Sequence, residues 1–247
     1  MPSDIELLGI EIKTLWTTDD RGRLLRSAEA NGSPAPYLVI AGARGELITA
    51  IGGDVPDALA GELVSVVARS PASLDARSPP AALARCRELI EGSLAPTEVT
   101  SGPSYLVPSR IVYTSSAKVR GSDGNAAALA ERNPELAGWS GDEWRQLLLG
   151  DLGPWAMAMI AGEVVSICHT SRLGEQGAEA GVWTAPGFRG QGHSTAVTAA
   201  WASLFEAGSR VLFYSTSAEN LSSQRVAARL NLREIGWRWQ VYGRDAI

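Results

Sequence analysis

Lysine is nearly absent from this 247-residue chain, with Lys13 and Lys118 standing against 20 arginines. The 22 basic residues are outnumbered by 27 acidic ones, the formal net charge is −5, and no basic stripe is visible along the sequence. A protein held on nucleic-acid phosphates normally carries such a stripe, so neither DNA nor RNA is an expected partner. Cysteine is scarce as well. Cys86 and Cys168 stand alone, and with His169 and His193 as the only histidines they supply neither paired CxxC motifs nor a zinc ligand set. No metal is expected, and reduced thiols suit a cytoplasmic protein. No apolar run approaches 18 residues, and Met1 to Glu6 carries acids where a secretion signal needs a basic region and then an apolar one. The expectation is a soluble chain that neither crosses nor sits on a membrane.

What the chain does have is apolar content, 45% of its residues. A chain of this length can bury roughly 70 to 75% of its unfolded surface without a disulfide or metal. Residues 1–105 read as an N-terminal α+β domain. Strand-like runs at 37–41 and 47–51 flank Gly42-Ala43-Arg44-Gly45, a hairpin pattern. Helical spacing follows over 57–69 and 79–92. Pro96, Gly102, Pro103 and Pro108 mark 93–108 as a break between halves, with 106–247 as the second domain. There, 111–114 reads as strand and 125–131 as helix, while Ser140-Gly-Asp-Glu143 is a capping box opening a short helix. The runs 155–160 and 164–170 form a hairpin. Strand 178–184, helix 192–208, strand 211–215, helix 220–230 and strand 234–242 complete a mixed α/β pattern.

The chemical signal is concentrated in one stretch. The strand ending Val182-Trp183-Thr184 leads through Arg189-Gly190-Gln191-Gly192-His193-Ser194 into an apolar helix. The first turn of a helix presents unpaired N–H groups and the positive end of the macrodipole, which together suit an anion such as a diphosphate. Gly190 and Gly192 would let the backbone approach it, and Arg189 adds positive charge. The same letters also fit a plain helix cap. A Walker A loop would need Gly-Lys-Ser/Thr, and no lysine lies within this loop; a dinucleotide fingerprint would need GxGxxG near the first strand.

At Arg189, Gly192 and Ser194 the sequence resembles the GNAT superfamily of acyl-CoA-dependent N-acyltransferases, whose signature is Gln/Arg-x-x-Gly-x-Gly/Ala at the start of a central helix; Ser194 is a small-residue departure. The later run from Tyr214 through Asn220 and Ser223 to Leu230 is similar to the family's Asn-x-x-Ser/Ala helix start. The resemblance spans about residues 110–243, and the whole length looks like a subgroup with an N-terminal extension. It implies a mixed, mostly antiparallel sheet flanked by helices, with acetyl-CoA as donor. Pantetheine would lie against Val182, Trp183 and Thr184, and the diphosphate would rest on the N–H groups of residues 189–194. Asn220 and Ser223 would turn toward the thioester, although the first can equally be a helix N-cap and the second a solvated residue.

Direct attack by an amine needs a proton acceptor, donors for a developing oxyanion and an acid for the departing thiolate. Glu179 is the first candidate base, with a simple edge charge as the competing reading; His169 is the alternative base or a hydrogen-bonded core residue. The family's acid is a Tyr seven positions after the Asn, and here that position is Ala227. Tyr214 and Ser223 are the neighbouring hydroxyls. Asn231 replaces a frequent helix-ending Gly and tolerates the same left-handed conformation. Seven of the eight tryptophans fall after residue 130, and Trp183 with Trp237 or Trp239 could line an acceptor pocket. The acceptor is expected to be a small-molecule or peptide amine, with residues 1–105 bordering its site. Oligomeric state is open, a homodimer being one option. The rival readings are a non-catalytic acyl-CoA sensor and a transferase using a longer acyl donor.

Overall fold

In the computed structural model, residues 2–29, 32–113, 116–122, 140–206 and 209–244 are described. They form two compact units. The first comprises Met1–Tyr105, Ser215–Leu221 and Arg233–Ile247; the second comprises Leu106–Tyr214 and Ser222–Leu232. The division at Tyr105 falls where composition changes, and the closing strand is grouped with the N-terminal residues.

The first unit begins with helix α1 (Asp4–Leu15), opened by a capping box in which Ser3 and Glu6 satisfy each other's backbone N–H groups. Its buried stripe includes Leu8, Ile12 and Leu15, one face of a 3.6-residue period. Strands β1 (Trp16–Thr18) and β2 (Leu24–Ser27) pair as a small ribbon. The main strands are β3 (Leu38–Ala43), β4 (Glu46–Ile51), β5 (Thr97–Val107) and, much later, β11 (Arg233–Gly243), in the spatial order β4-β3-β11-β5. The β3–β4 hairpin turns at Arg44-Gly45, both at positive φ. Helices α2 (Asp57–Ala68) and α3 (Ala82–Ser93) bury Leu59, Leu63, Cys86 and Ile90 against Leu38, Ile40, Trp237 and Trp239. Burial pushes the Cys86 thiol up to about 11. Trp237 and Trp239 are therefore core residues of this unit.

The segment expected to be an irregular break is mostly strand β5. Its proline and glycine mark a close approach rather than a loop. The Pro103 carbonyl accepts from the Thr216 N–H at 3.3 Å, and a Cβ on Gly102 would lie 1.8 Å from the Thr216 carbonyl oxygen. Such residues within strands commonly signal another backbone passing near.

The second unit places its strands in the order β10-β9-β8-β7-β6: β10 (Val211–Ser215), β9 (Gly177–Thr184), β8 (Glu163–Leu173), β7 (Trp155–Ile160) and β6 (Lys118–Gly121). Only the β9–β10 pair is parallel. Helix α4 (Gly141–Leu149) starts at the Ser140–Glu143 capping box, with Ser140 N–H donating to Glu143 at 2.9 Å. Trp144 and Leu147 pack on Trp155, Met157 and Ile167. Helix α5 (His193–Ser203) is buried along most of its length, and α6 (Leu221–Arg229) ends before Asn231 at φ 51.

Two expectations change. Residues 111–113 lie outside any strand, with Val112 99% exposed and so without the packing a strand face needs. Helix α5 stops at Ser203, after which Phe205 packs edge-on against Trp201 at 5.1 Å. The expected helix at 125–131 and Trp139 lie outside the described residues. Among the described residues no helix is long and apolar enough to cross a membrane, and no group of three or more His, Cys, Asp or Glu could hold a metal ion.

Candidate active site

The second unit contains a strand pair that opens. β10 pairs with β9 in parallel over Val211–Gly177, Leu212–Ala178 and Phe213–Glu179. After Glu179 the ladder stops, while β9 continues to Thr184 bonded to β8 alone. The direction of its backbone groups follows from alternation. The Ala185 N–H donates to the Val165 carbonyl, so the groups of Gly181 and Trp183 turn toward β8 and those of Ala180, Val182 and Thr184 turn toward the opened edge. The Thr184 carbonyl is met there by Arg189 Nε at 3.2 Å.

A loop then carries the chain into α5. A short 3-10 turn at Pro186–Phe188 leads to Gly190 at φ 78 and Gly192 at φ 85. Gly192 occupies the N-cap with no side-chain cap, so the N–H groups of the first turn face outward without an internal acceptor. A Cβ on Gly192 would lie 2.5 Å from the Tyr113 hydroxyl oxygen. The positive φ favours glycine at this position whatever the Tyr113 side chain does, and these features suit a diphosphate. Gln191 braces the loop through the Gly187 carbonyl at 3.3 Å. His193 is 1% exposed, and neither ring nitrogen has a hydrogen-bond partner. Ser194 is half-buried, and its carbonyl accepts from Thr198.

Alternation along β9 puts Ala180, Val182 and Thr184 on one face, where the Thr184 hydroxyl meets Ser166 at 2.8 Å. Glu179, Gly181 and Trp183 share the other face, with Trp183 packed on the Trp144 and Trp155 cluster. The two candidate bases meet on this second face. His169 pairs across from Gly181, where a Cβ would lie 2.4 Å from His169 Cε1. Only glycine leaves room for that ring. Glu179 is 2% exposed and stands opposite Arg172 in register. His169 keeps partial solvent exposure but is surrounded mainly by protein. Burial pushes its imidazole down to about 4, the Arg172 charge adds to the effect and a Gly181 backbone hydrogen bond opposes it. At neutral pH His169 is uncharged. Burial also pushes the Cys168 thiol far up, so it is an inert wall residue.

Tyr214 is 3% exposed, one residue past the last β9–β10 pair. Ser223 is half-buried in the first turn of α6; Asn220 is exposed just ahead of that helix and belongs to the first unit. Ala227 is fully buried and offers no hydroxyl. Sequence reasoning missed Tyr113 and Arg172. The first sits in a segment that read as an ordinary strand, and the second became apparent only through the register of β8 against β9.

The family model for the acetyltransferase (GNAT) domain matches residues 113–233. No curated protein matches. Solved structures similar to this chain include a GCN5-related N-acetyltransferase-like protein from Streptococcus suis, at 16% identity, covering 85% of each chain, TM-score 0.47. An acetyltransferase from the GNAT family of Colwellia psychrerythraea is 15% identical, with 91% of this chain and 78% of that one covered, TM-score 0.44. A GCN5-related N-acetyltransferase from Sphaerobacter thermophilus is 14% identical, with 65% of this chain and 56% of that one covered, TM-score 0.43. Residues 113–233, which hold the glycine loop and the opened strand pair, therefore carry a GNAT acetyltransferase domain.

Proposed function

We propose that this protein moves the acetyl group of acetyl-CoA to a primary amine of a small-molecule or peptide acceptor. The observation that carries this reading is the end of the β9–β10 ladder at Glu179, followed on the same strand by the uncapped start of α5. An open strand edge suits an extended amide-bearing arm, as an added strand would, and an uncapped helix start suits a diphosphate.

Acetyl-CoA, when bound, supplies an activated thioester. The outward N–H groups of Val182 and Thr184 donate to the arm and to the oxygen on which charge develops. Arg189, Gly190, Gln191, Gly192, His193 and Ser194 hold the diphosphate through their backbone, with the Tyr113 hydroxyl beside them. Trp183 fixes the strand from its other face. Glu179 accepts the amine proton, and neutral His169 is the alternative acceptor. Tyr214 or Ser223 returns a proton to the sulfur.

Acetyl-CoA-dependent release of free thiol with a panel of primary amines tests the reading. Amine-dependent turnover supports it. Tight CoA binding by calorimetry without turnover on any amine favours a sensing role instead, which the buried Ala227 in the acid's usual position gives reason to consider. Better competition by longer acyl-CoA esters would replace acetyl as the donor group.

A further inference from the structure

The first unit holds a cavity of about 700 Å3 lined by none of the residues assigned above to acetyl transfer. It lies along β4, which among the described residues ends the strand order of its sheet, with β3 on one side and, on the other, only the bridge from Leu24 of β2 to Gly52 just past the strand's end. Helix α1 walls it with Gly9 and Ile12, and α2 with Ala60, Gly61 and Val64.

The free edge has a defined polarity. The two-residue turn makes Ala43 and Glu46 a hydrogen-bonded pair. Alternation then directs the groups of Ile48 and Ala50 to β3 and those of Leu47, Thr49 and Ile51 outward. The Gly52 N–H donating to the Tyr37 carbonyl and the Gly53 N–H donating to the Leu24 carbonyl agree with this parity. An added strand lies about 4.8 Å away and needs clearance. The small wall residues provide it: a Cβ on Gly61 would meet nothing within 4 Å, and one on Gly9 would meet only Ile48 at 3.9 Å.

Charge marks one chemical class. The charged lining residues are Lys13, Arg21, Arg23 and Asp57, an excess of two positive charges. Arg21 and Arg23 share one Asp57 oxygen at 2.5 and 3.1 Å, and Arg23 Nη1 has no hydrogen-bond partner.

We propose that this cavity binds an extended peptide segment bearing a carboxylate. Its backbone adds to the β4 edge at Leu47 and Thr49, its apolar side chains lie on Ile12 and Val64, and its carboxylate pairs with Lys13, Arg21 and Arg23. The carboxylate can be a chain terminus or an acidic side chain.

The test titrates the full chain with the acetylated pentapeptide Thr-Val-Thr-Val-Leu as free acid, as C-terminal amide, and as an amide with Glu in the last position. The free acid should bind saturably, and the Leu amide at least tenfold more weakly. The Glu amide reports which source of carboxylate is used: affinity near that of the acid points to a side chain, affinity near that of the Leu amide to a chain terminus. Hydrogen exchange at the Leu47 and Thr49 amides should slow on binding. Lys13→Ala with Arg21→Ala, and separately Gly61→Leu, should each weaken binding at least tenfold with unchanged far-UV dichroism. Three results would overturn the proposal: no saturable binding of either carboxylate peptide at millimolar concentration, binding of the Leu amide equal to that of the tighter carboxylate peptide, or displacement by hexanoate with unaltered exchange at Leu47 and Thr49.

Discussion

Glu179 and Phe213 form the last pair of the parallel ladder between β9 and β10. Everything that makes the second unit chemically suggestive follows from that termination. Twist separates neighbouring strands progressively, and once pairing is lost the alternate N–H groups of β9 are available to a ligand.

Val182→Pro isolates one such group. Residue 182 directs its backbone toward the opened edge and makes no ladder bond to β8, so proline removes an outward donor and leaves the β8 pairing intact. Turnover should fall by roughly 10² to 10³, with a small change in Tm. Retention of near-native kcat would show that this N–H does not serve the reaction.

The Gly192 cradle makes a second prediction. An alanine there meets a positive φ and the Tyr113 hydroxyl, costing about 1 to 3 kcal/mol from the backbone alone. CoA affinity by calorimetry should drop, and Gly192→Glu should abolish it by adding bulk and negative charge where a diphosphate belongs. Combining Gly192→Ala with Tyr113→Phe relieves the clash. If affinity then recovers, sterics were responsible; if it falls further, Tyr113 is itself a donor to the ligand.

Much of this arrangement was legible because local rules governed it. Ser140 and Glu143 announce α4 through reciprocal capping, and Arg189 to Ser194 announce the loop because Gly190 and Gly192 supply the positive φ that other residues avoid. What could not be read was nonlocal. The Pro103 and Gly102 pair reads as a break until Thr216 is seen passing beside it. Helix α1 was hidden because its stripe includes Glu11, an acid buried only by virtue of Arg238, more than two hundred residues away. Likewise, nothing in sequence spacing shows that Gly181 makes room for the His169 ring.

The Glu11–Arg238 pair yields a stability prediction. Arg238 Nε lies 3.1 Å from Glu11 Oε2, Ser104 Oγ donates to the same carboxylate at 2.7 Å, and both charged side chains are nearly inaccessible. Removing one partner strands the other in a poorly solvated site, so Glu11→Ala should destabilise by about 3 to 5 kcal/mol. Glu11→Leu paired with Arg238→Met should recover much of that loss. Urea denaturation of Glu11→Ala, of the single variants Glu11→Leu and Arg238→Met, and of their double mutant decides it; additivity of the two singles in the double would show the pair to be uncoupled.

His169 links stability to pH. Its imidazole titrates near 4 in the fold against 6.5 for the free side chain, so the unfolded chain binds the extra proton first. Its contribution is complete above about pH 6.5 and disappears as pH falls through 4, with a ceiling of about 3 kcal/mol that its partial exposure reduces. Denaturation midpoints between pH 4 and 7 should decline more steeply for the native chain than for His169→Gln. Parallel curves would show that the ring is not held neutral by burial.

The proton acceptor is the decisive chemical question, since both candidates stand on one face of β8 and β9 with Gly181 between them. A neutral imidazole with so low an affinity for protons is a weak base for an ammonium, whereas Glu179 is buried at the last paired position before the strand opens. Glu179→Gln keeps shape and removes the acceptor, so kcat should fall by roughly 10² to 10⁴ with acetyl-CoA affinity unchanged. The acidic limb of the pH–rate profile should disappear with it. His169→Gln should cost much less and leave that limb in place. The opposite pattern would move the base to His169. If neither substitution alters the profile, the amine must arrive already neutral, and the rate must come from positioning and from the Val182 and Thr184 donors.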